Sequence, residues 1–245
     1  MTAVPITESW TGSDGAPWPA GWTITNGGAT LRGNRGDLNI DGQGNVGTGA
    51  AHPAVLTDTD VALTFSMDRY GNGTDGWDSN LWFCARTGTA RLKADASDVP
   101  NTGYGVRIYI NPHAQANGDG TFVAWFIAEL HRFPGDGTDP GKVPGDGGGF
   151  FYKPINPGVD YRMRLRVIGN RVQFRYWPLS EAEPVNEWIV DWTDPAPLPG
   201  GHFWIGTWTG WGGNSRGFRF DDLLITAPVR IWDGSTEQAA ALRVV

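Results

Sequence analysis

The stretch VDYRMRLRVIGNRVQFRYW, residues 159–177, decides the fold. Tyr161, Met163, Leu165 and Val167 alternate with Arg162, Arg164 and Arg166. After Gly169-Asn170, two residues that tolerate positive φ, Val172, Phe174 and Tyr176 alternate with Arg171, Gln173, Arg175 and Trp177. Successive side chains of a strand point to opposite sheet faces. The spacing therefore predicts a tight β-hairpin with one apolar face turned to a core and one Arg-rich face turned away.

The same period recurs upstream. VALTFSMDR sets Val61, Leu63, Phe65 and Met67 against Ala62, Thr64, Ser66 and Asp68. SNLWFCART sets Leu81, Phe83 and Ala85 against Trp82, Cys84 and Arg86. YGVRIYIN sets Val106, Ile108 and Ile110 against Arg107, Tyr109 and Asn111. FVAWFIAELHRF is apolar on both faces, as in a strand covered on both sides, and ends with Glu129 and His131 on one face. HFWIGTWTGWGG and RGFRFDDLLIT supply two closing strands. Between these runs lie turn-forming clusters, the longest being the Gly/Pro/Asp loop 134–149. Gly is 36 and Pro 17 of 245 residues, and no run of more than about three turns has helical composition. The chain reads as all-β, with about twelve to fourteen strands in two packed sheets.

Charge and cysteine content narrow the chemistry. The formal net charge of −7 argues against nucleic acid or anionic membrane as the main partner, although Arg outnumbers Lys by 16 to 3. The single cysteine, Cys84, excludes an intrachain disulfide and reads as a packed thiol rather than a nucleophile. MTAVPITESW lacks the basic and apolar regions of a secretory signal, and no run reaches the roughly 18 apolar residues of a membrane span. The expectation is a protein made in the cytoplasm and not inserted into a membrane.

Three stretches in order, YRMRLRVIGNRVQFRYW, HFWIGTWTGWGG and GFRFDDLLI, resemble the closing half of concanavalin A-like jelly-roll domains. This is the lectin/glucanase sandwich, also seen in laminin-G-like modules, and the resemblance covers residues 50–227. The C-terminal PVRIWDGSTEQAAALRVV is similar to the short V-x-V-W-D-G units of minor tail proteins of phages that infect actinobacteria. The opening SWTGSDGAPWPAGW is similar to the start of jelly-roll modules in such tail proteins and in actinobacterial secreted proteins. The resemblance implies a jelly-roll β-sandwich over 1–227 and a C-terminal extension over 228–245, with VRIW and ALRVV as short strands that pair between chains or tether the domain. It implies a virion protein of the phage tail, assembled in the host cytoplasm. Its partners would be host cell-surface carbohydrate, other tail proteins and further copies of itself, most simply as a trimer. Jelly rolls of this kind often carry a structural calcium on an Asp of the final strand, and the matching position is Asp221.

Catalysis finds no support in the spacing of the acids. Glycanases of this fold place two carboxylates on one strand face, in an E-x-D-x-x-E or E-x-D-x-E frame, about 5 Å apart in retaining enzymes. The six Glu are 8, 129, 181, 183, 187 and 237, and Glu129 stands in the frame E-L-H-R-F with no carboxylate at i+2 or i+4. Glu129 and His131 read as a polar pair or, alternatively, as an acid/base pair. His52, His113 and His202 lack metal-ligand spacing. The Asp/Asn/Gly loops 70–80, 116–121 and 134–149 read as turns or as oxygen-rich calcium loops.

Sugar sites combine aromatic platforms with planar polar groups. The non-core strand positions offer Trp82, Arg86, Arg107, Tyr109, Glu129, His131, Arg164, Arg166, Gln173, Arg175, Trp204 and Trp208. Trp211, flanked by Gly and near Asn214 and Arg216, is the candidate for an exposed platform. A non-enzymatic glycan-binding tail protein is the favoured reading. A ligand-free decoration domain and a hydrolase or lyase with an unrecognised site are the alternatives.

Overall fold

The computed structural model describes residues 5–25, 28–39, 46–68, 79–88, 99–116, 122–135, 143, 154–209, 217–226, 229–232 and 237–240. Among them sixteen strands and no helix form: β1 (Ile6–Glu8), β2 (Thr23–Thr25), β3 (Gly28–Leu31), β4 (Gly36–Asn39), β5 (Val46–Ala51), β6 (Thr59–Met67), β7 (Ser79–Thr87), β8 (Thr102–Ala116), β9 (Phe122–Pro134), β10 (Tyr161–Ile168), β11 (Arg171–Pro178), β12 (Val190–Thr193), β13 (His202–Thr209), β14 (Phe218–Thr226), β15 (Val229–Trp232) and β16 (Glu237–Ala240). The hairpin that opened the sequence reading is β10–β11, in register from Tyr161 opposite Pro178 to Ile168 opposite Arg171. Its two-residue turn begins at Gly169, whose φ of 56° suits glycine.

Two antiparallel sheets pack face to face. The larger runs β12-β11-β10-β6-β14-β4-β3, with β1 also paired to β14; the smaller runs β2-β5-β13-β7-β8-β9. The all-β sandwich is therefore as the alternation implies. The inward residues of β10 and β11 (Tyr161, Met163, Leu165, Val167, Val172, Phe174, Tyr176) are at most 2% exposed. They meet Val61, Leu63, Phe65 and Met67 of β6, and Leu81, Phe83, Val106, Ile108 and Leu130 from the facing sheet, in one core. Trp10, Trp18 and Trp22 pack on one another with centroids 5.1–5.6 Å apart and join that core, Trp18 edge-on to Phe220. The Trp-rich opening thus packs into the sandwich.

The outer side of the smaller sheet carries a second apolar cluster: Ala51, Trp82, Cys84, Val99, Phe133 and Trp204. Trp82 and Cys84 of β7 and Phe133 of β9 are thus covered on the outer side of their sheet. Gly105 is required there, because a Cβ would lie 2.6 Å from the Phe133 ring and 3.0 Å from the Cys84 sulfur. Burial alone pushes the Cys84 thiol well above its usual pKa, so it is an unreactive packed group.

Strands β15 and β16 make a separate two-stranded sheet, with Val229 opposite Ala240 and Trp232 opposite Glu237, hydrogen-bonded to neither sheet of the sandwich. The return strand lies on Glu237–Ala240, ahead of the expected ALRVV; residues 241–245 fall outside the described residues.

Candidate functional site

The outer face of the larger sheet holds a cleft of about 440 Å³. Its floor follows from register. Arg162, Arg164 and Arg166 of β10 stand opposite Thr64, Ala62 and Asp60 of β6 on one side. On the other side they face Trp177, Arg175 and Gln173 of β11. Arg164 opposite Arg175 is a like-charge pair, which a sheet tolerates only if carboxylates intervene.

Two do. Asp60 is 3% exposed and accepts both prongs of Arg164, at 2.7 and 2.6 Å. Glu183 comes from the connection between β11 and β12, which folds back over the face. It accepts from Arg164 at 3.0 Å and from Arg175, whose other terminal nitrogen donates to the Pro184 carbonyl. The same connection lays the Trp188 ring against Arg175, 4.1 Å from guanidinium carbon to centroid, with Arg166 at 5.7 Å. Trp177 and the β14 residues Leu224 and Thr226 complete the walls, and Val185, 73% exposed, forms the lip.

The electrostatics follow from this set. Asp60 hydrogen bonds raise the pKa of Arg164. Burial pulls the Glu183 carboxyl up, but Arg164 and Arg175 outweigh it and hold Glu183 below its usual range. Burial is the main force lowering Arg162 and Arg166, which at such basic groups is a desolvation cost and not a loss of charge. Four guanidiniums face two carboxylates. Such a cleft can accept planar polar groups and stack apolar ring faces.

A second cluster lies on the opposite side of the sandwich, on β7, β8 and β9. The Arg107 guanidinium sits 5.8 Å from the Trp82 ring and 5.6 Å from the Tyr109 ring, and donates to Glu129. His131 Nε2 is 3.5 Å from the same carboxylate and its ring is 5.0 Å from Trp82. Glu129 and His131 do share a face, and Arg107 joins them; both are buried. Trp208 on β13 is half-buried beside Asn80 of β7.

Strand parity placed all these positions on non-core faces without saying which sheet each face belongs to. The structure divides them. Arg164, Arg166, Gln173 and Arg175 lie outside the larger sheet. Trp82, Arg107, Tyr109, Glu129, His131, Trp204 and Trp208 lie outside the smaller one. One site cannot contain both groups, because the whole sandwich separates them. Trp204 is fully buried in the second apolar cluster.

Arg86 is not on an open face. Its φ of 53° ends the period-two alternation, and its side chain, 3% exposed, donates to the Thr57 and Leu198 carbonyls and to Asp58. It pins two connections. Trp211, Asn214 and Arg216 lie outside the described residues.

Parity missed Trp188, Glu183 and Asp60. Glu183 and Trp188 belong to SEAEPVNEW, a non-periodic connection; Asp60 is an alternating position more than 100 residues from its partners. The available signal was the Arg ladder itself, which has no carboxylate on its own strands beside it.

Asp221, the calcium position that the resemblance implies, lies on β14 beside Asp222. One Asp221 oxygen accepts the Asp222 backbone N–H at 2.9 Å. Burial, then the Asp222 charge, raises its pKa, while the cation nearby is Arg35. Among the described residues no group of three or more His, Cys, Asp or Glu could hold a metal ion. Most of loops 70–80, 116–121 and 134–149 lies outside those residues.

No protein-family model matches the chain, and no curated protein does. Solved structures do match. The VIP36 exoplasmic/lumenal domain in its Ca2+/Man-bound form superposes with a TM-score of 0.61 at 13% identity, over 98% of this chain and 97% of that one. The Emp47p carbohydrate recognition domain gives 0.53 at 16% identity, over 87% and 91%. The carbohydrate binding module CBM66 from Bacillus subtilis gives 0.50 at 13% identity, over 84% and 95%. At these identities the likeness shows the fold, a lectin-like jelly-roll sandwich.

Proposed function

We propose that this chain is a non-enzymatic carbohydrate-binding domain that a bacteriophage tail displays toward host cell-surface glycan. The observation that carries this reading is the guanidinium- and indole-lined cleft on a sandwich whose solved neighbours include proteins named as carbohydrate-binding. Ring faces stack on Trp and guanidinium planes, while hydroxyls meet the forked donors.

The non-enzymatic reading is supported by how the carboxylates of the two polar clusters are held. A glycosidase needs one carboxyl with a raised pKa as its acid. Glu183 is held in the opposite direction, and Asp60 is occupied at both oxygens by Arg164. Glu129 is held by Arg107.

The tail role rests on the likeness of residues 228–245 to phage tail units and on β15 and β16 pairing with each other rather than with either sheet. In this reading the hairpin pairs with other copies, most simply in a trimer, or with neighbouring tail proteins. Several weak sugar sites then act together.

The test is a pull-down on actinobacterial cell envelopes with wild type, Trp188→Ala and Arg166→Gln, each checked for an intact melting transition. Saturable binding that the folded variants lose supports the proposal. Absence of binding by the wild-type protein overturns it in favour of a decoration domain. Release of reducing ends or unsaturated products from the envelopes overturns the non-enzymatic part.

A further inference from the structure

We infer that the cleft on the larger sheet is selective for acidic glycans, recognising a carboxylate or phosphate on the sugar through Arg166 and Arg162. The inference rests on the carbohydrate-binding reading and names the ligand class of the same site.

The protein carries a formal charge of −7, yet this cleft is lined by Arg162, Arg164, Arg166 and Arg175 against only Asp60 and Glu183. The two carboxylates are already occupied. Arg164 takes both oxygens of Asp60, and Glu183 is shared between Arg164 and Arg175. Arg166 Nε is buried 3.3 Å from an Asp60 oxygen, an ion pair without a hydrogen bond, and that oxygen already accepts from Arg164. Arg162 donates only to neutral oxygens, the Thr64 hydroxyl at 2.9 Å and the Asp222 carbonyl at 2.7 Å. The cleft therefore has two guanidiniums whose forks have no carboxylate hydrogen bond, and burial already disfavours their charge.

A neutral sugar entering here would desolvate Arg166 further and return hydrogen bonds charged on the donor side only, with no charge to offset the guanidinium's own. A carboxylate or phosphate returns charge-assisted bonds, and its planar or tetrahedral oxygens match a fork. The indole of Trp188, already against Arg175 and Arg166, keeps the forks preorganised and supplies apolar surface for the ring. Single-stranded nucleic acid also offers phosphates and stacking rings. The protein's net negative charge and the confinement of the cationic patch to one cleft of about 440 Å³ favour a saccharide.

The experiment is calorimetric titration of the full chain with four probes. They are a galacturonate trisaccharide, a glycerol-phosphate oligomer, neutral mannotriose and a single-stranded oligonucleotide, each at low and at high salt. The expected result is binding of one or both acidic saccharides at least about tenfold tighter than mannotriose. That binding should weaken at high salt. Arg166→Gln, which leaves the Arg164–Asp60 pair in place, should weaken the acidic probe by about tenfold more than it weakens mannotriose. The two acidic probes distinguish carboxylate from phosphate. Equal or tighter binding of mannotriose overturns this inference and leaves the carbohydrate-binding proposal standing. Binding of no saccharide, or tightest binding of the oligonucleotide, overturns both.

Discussion

Replacing Asp60 by Asn should cost about 2–3 kcal/mol of folding stability and at the same time strengthen acidic-ligand binding. Asp60 is 3% exposed and is the bidentate acceptor of Arg164 at 2.7 and 2.6 Å. Breaking a buried ion pair from one side costs about 3–5 kcal/mol, because the partner charge is left without compensation. Two features reduce that figure here. Arg164 retains Glu183 at 3.0 Å, and its side chain is 22% exposed, so water screens part of the loss. Against this, Arg166 loses its only nearby carboxylate. Asn keeps the shape and one acceptor oxygen, so packing is unchanged and the effect is electrostatic. In a domain of this size 2–3 kcal/mol lowers the melting temperature by roughly 4–12 °C. The assay is thermal and urea unfolding followed by circular dichroism, with Asp60→Asn, Arg164→Gln and the double variant forming a cycle. The double variant should be less destabilised than the two single losses added, since it removes both charges together. A loss below about 0.5 kcal/mol, as for an exposed surface pair, would refute the reasoning. So would a cycle with no coupling.

Other outcomes follow from the same geometry. Gly201→Ala would place a Cβ 2.5 Å from the Arg86 carbonyl carbon and the Thr87 oxygen, both backbone, so it should cost at least about 3 kcal/mol by denaturant unfolding. Asp160 is held low chiefly by its hydrogen bonds from Arg35, Asp191 by Arg171, and Glu183 by guanidiniums that outweigh its burial. A depressed folded-state pKa contributes stability that is present above the unfolded value and lost as pH falls through the folded one. The melting temperature should therefore decline below about pH 4.5. Asp221 has the opposite sign, raised first by burial and then by Asp222, so its charged form is disfavoured near neutrality. Asp221→Asn keeps the acceptor for the Asp222 N–H and should gain about 0.2–1 kcal/mol at pH 7, with little change at pH 3. Deleting residues 228–245 should leave the melting temperature of the sandwich within a few degrees and abolish self-association in sedimentation; a truncated chain that fails to fold would place the tail in the core instead.

The core was legible because alternation is a local property. Every inward residue named for β6 and β10 occupies the interior, as do those of β11, since a one-residue slip would have exposed the whole set. Sheet membership is not local. Asp60 and Arg166 lie more than 100 residues apart, and no periodicity says that β6 stands between β10 and β14. That is why the candidate residues of two opposite faces could not be told apart. Arg86 was misplaced for a different reason: a single residue with φ of 53° reverses where the side chain points, and the run SNLWFCART carries no mark of it. Trp188 and Glu183 were missed because a connection has no period to read. Charge nonetheless points to them. Three arginines alternating on one strand, opposite a fourth on the next, need carboxylates within reach. The first ones after the hairpin are Glu181 and Glu183. Counting acceptor oxygens against guanidinium forks locates the cleft from the sequence more sharply than parity does. The same count leaves Arg162 and Arg166 without a carboxylate hydrogen bond, and that surplus is what a ligand can use.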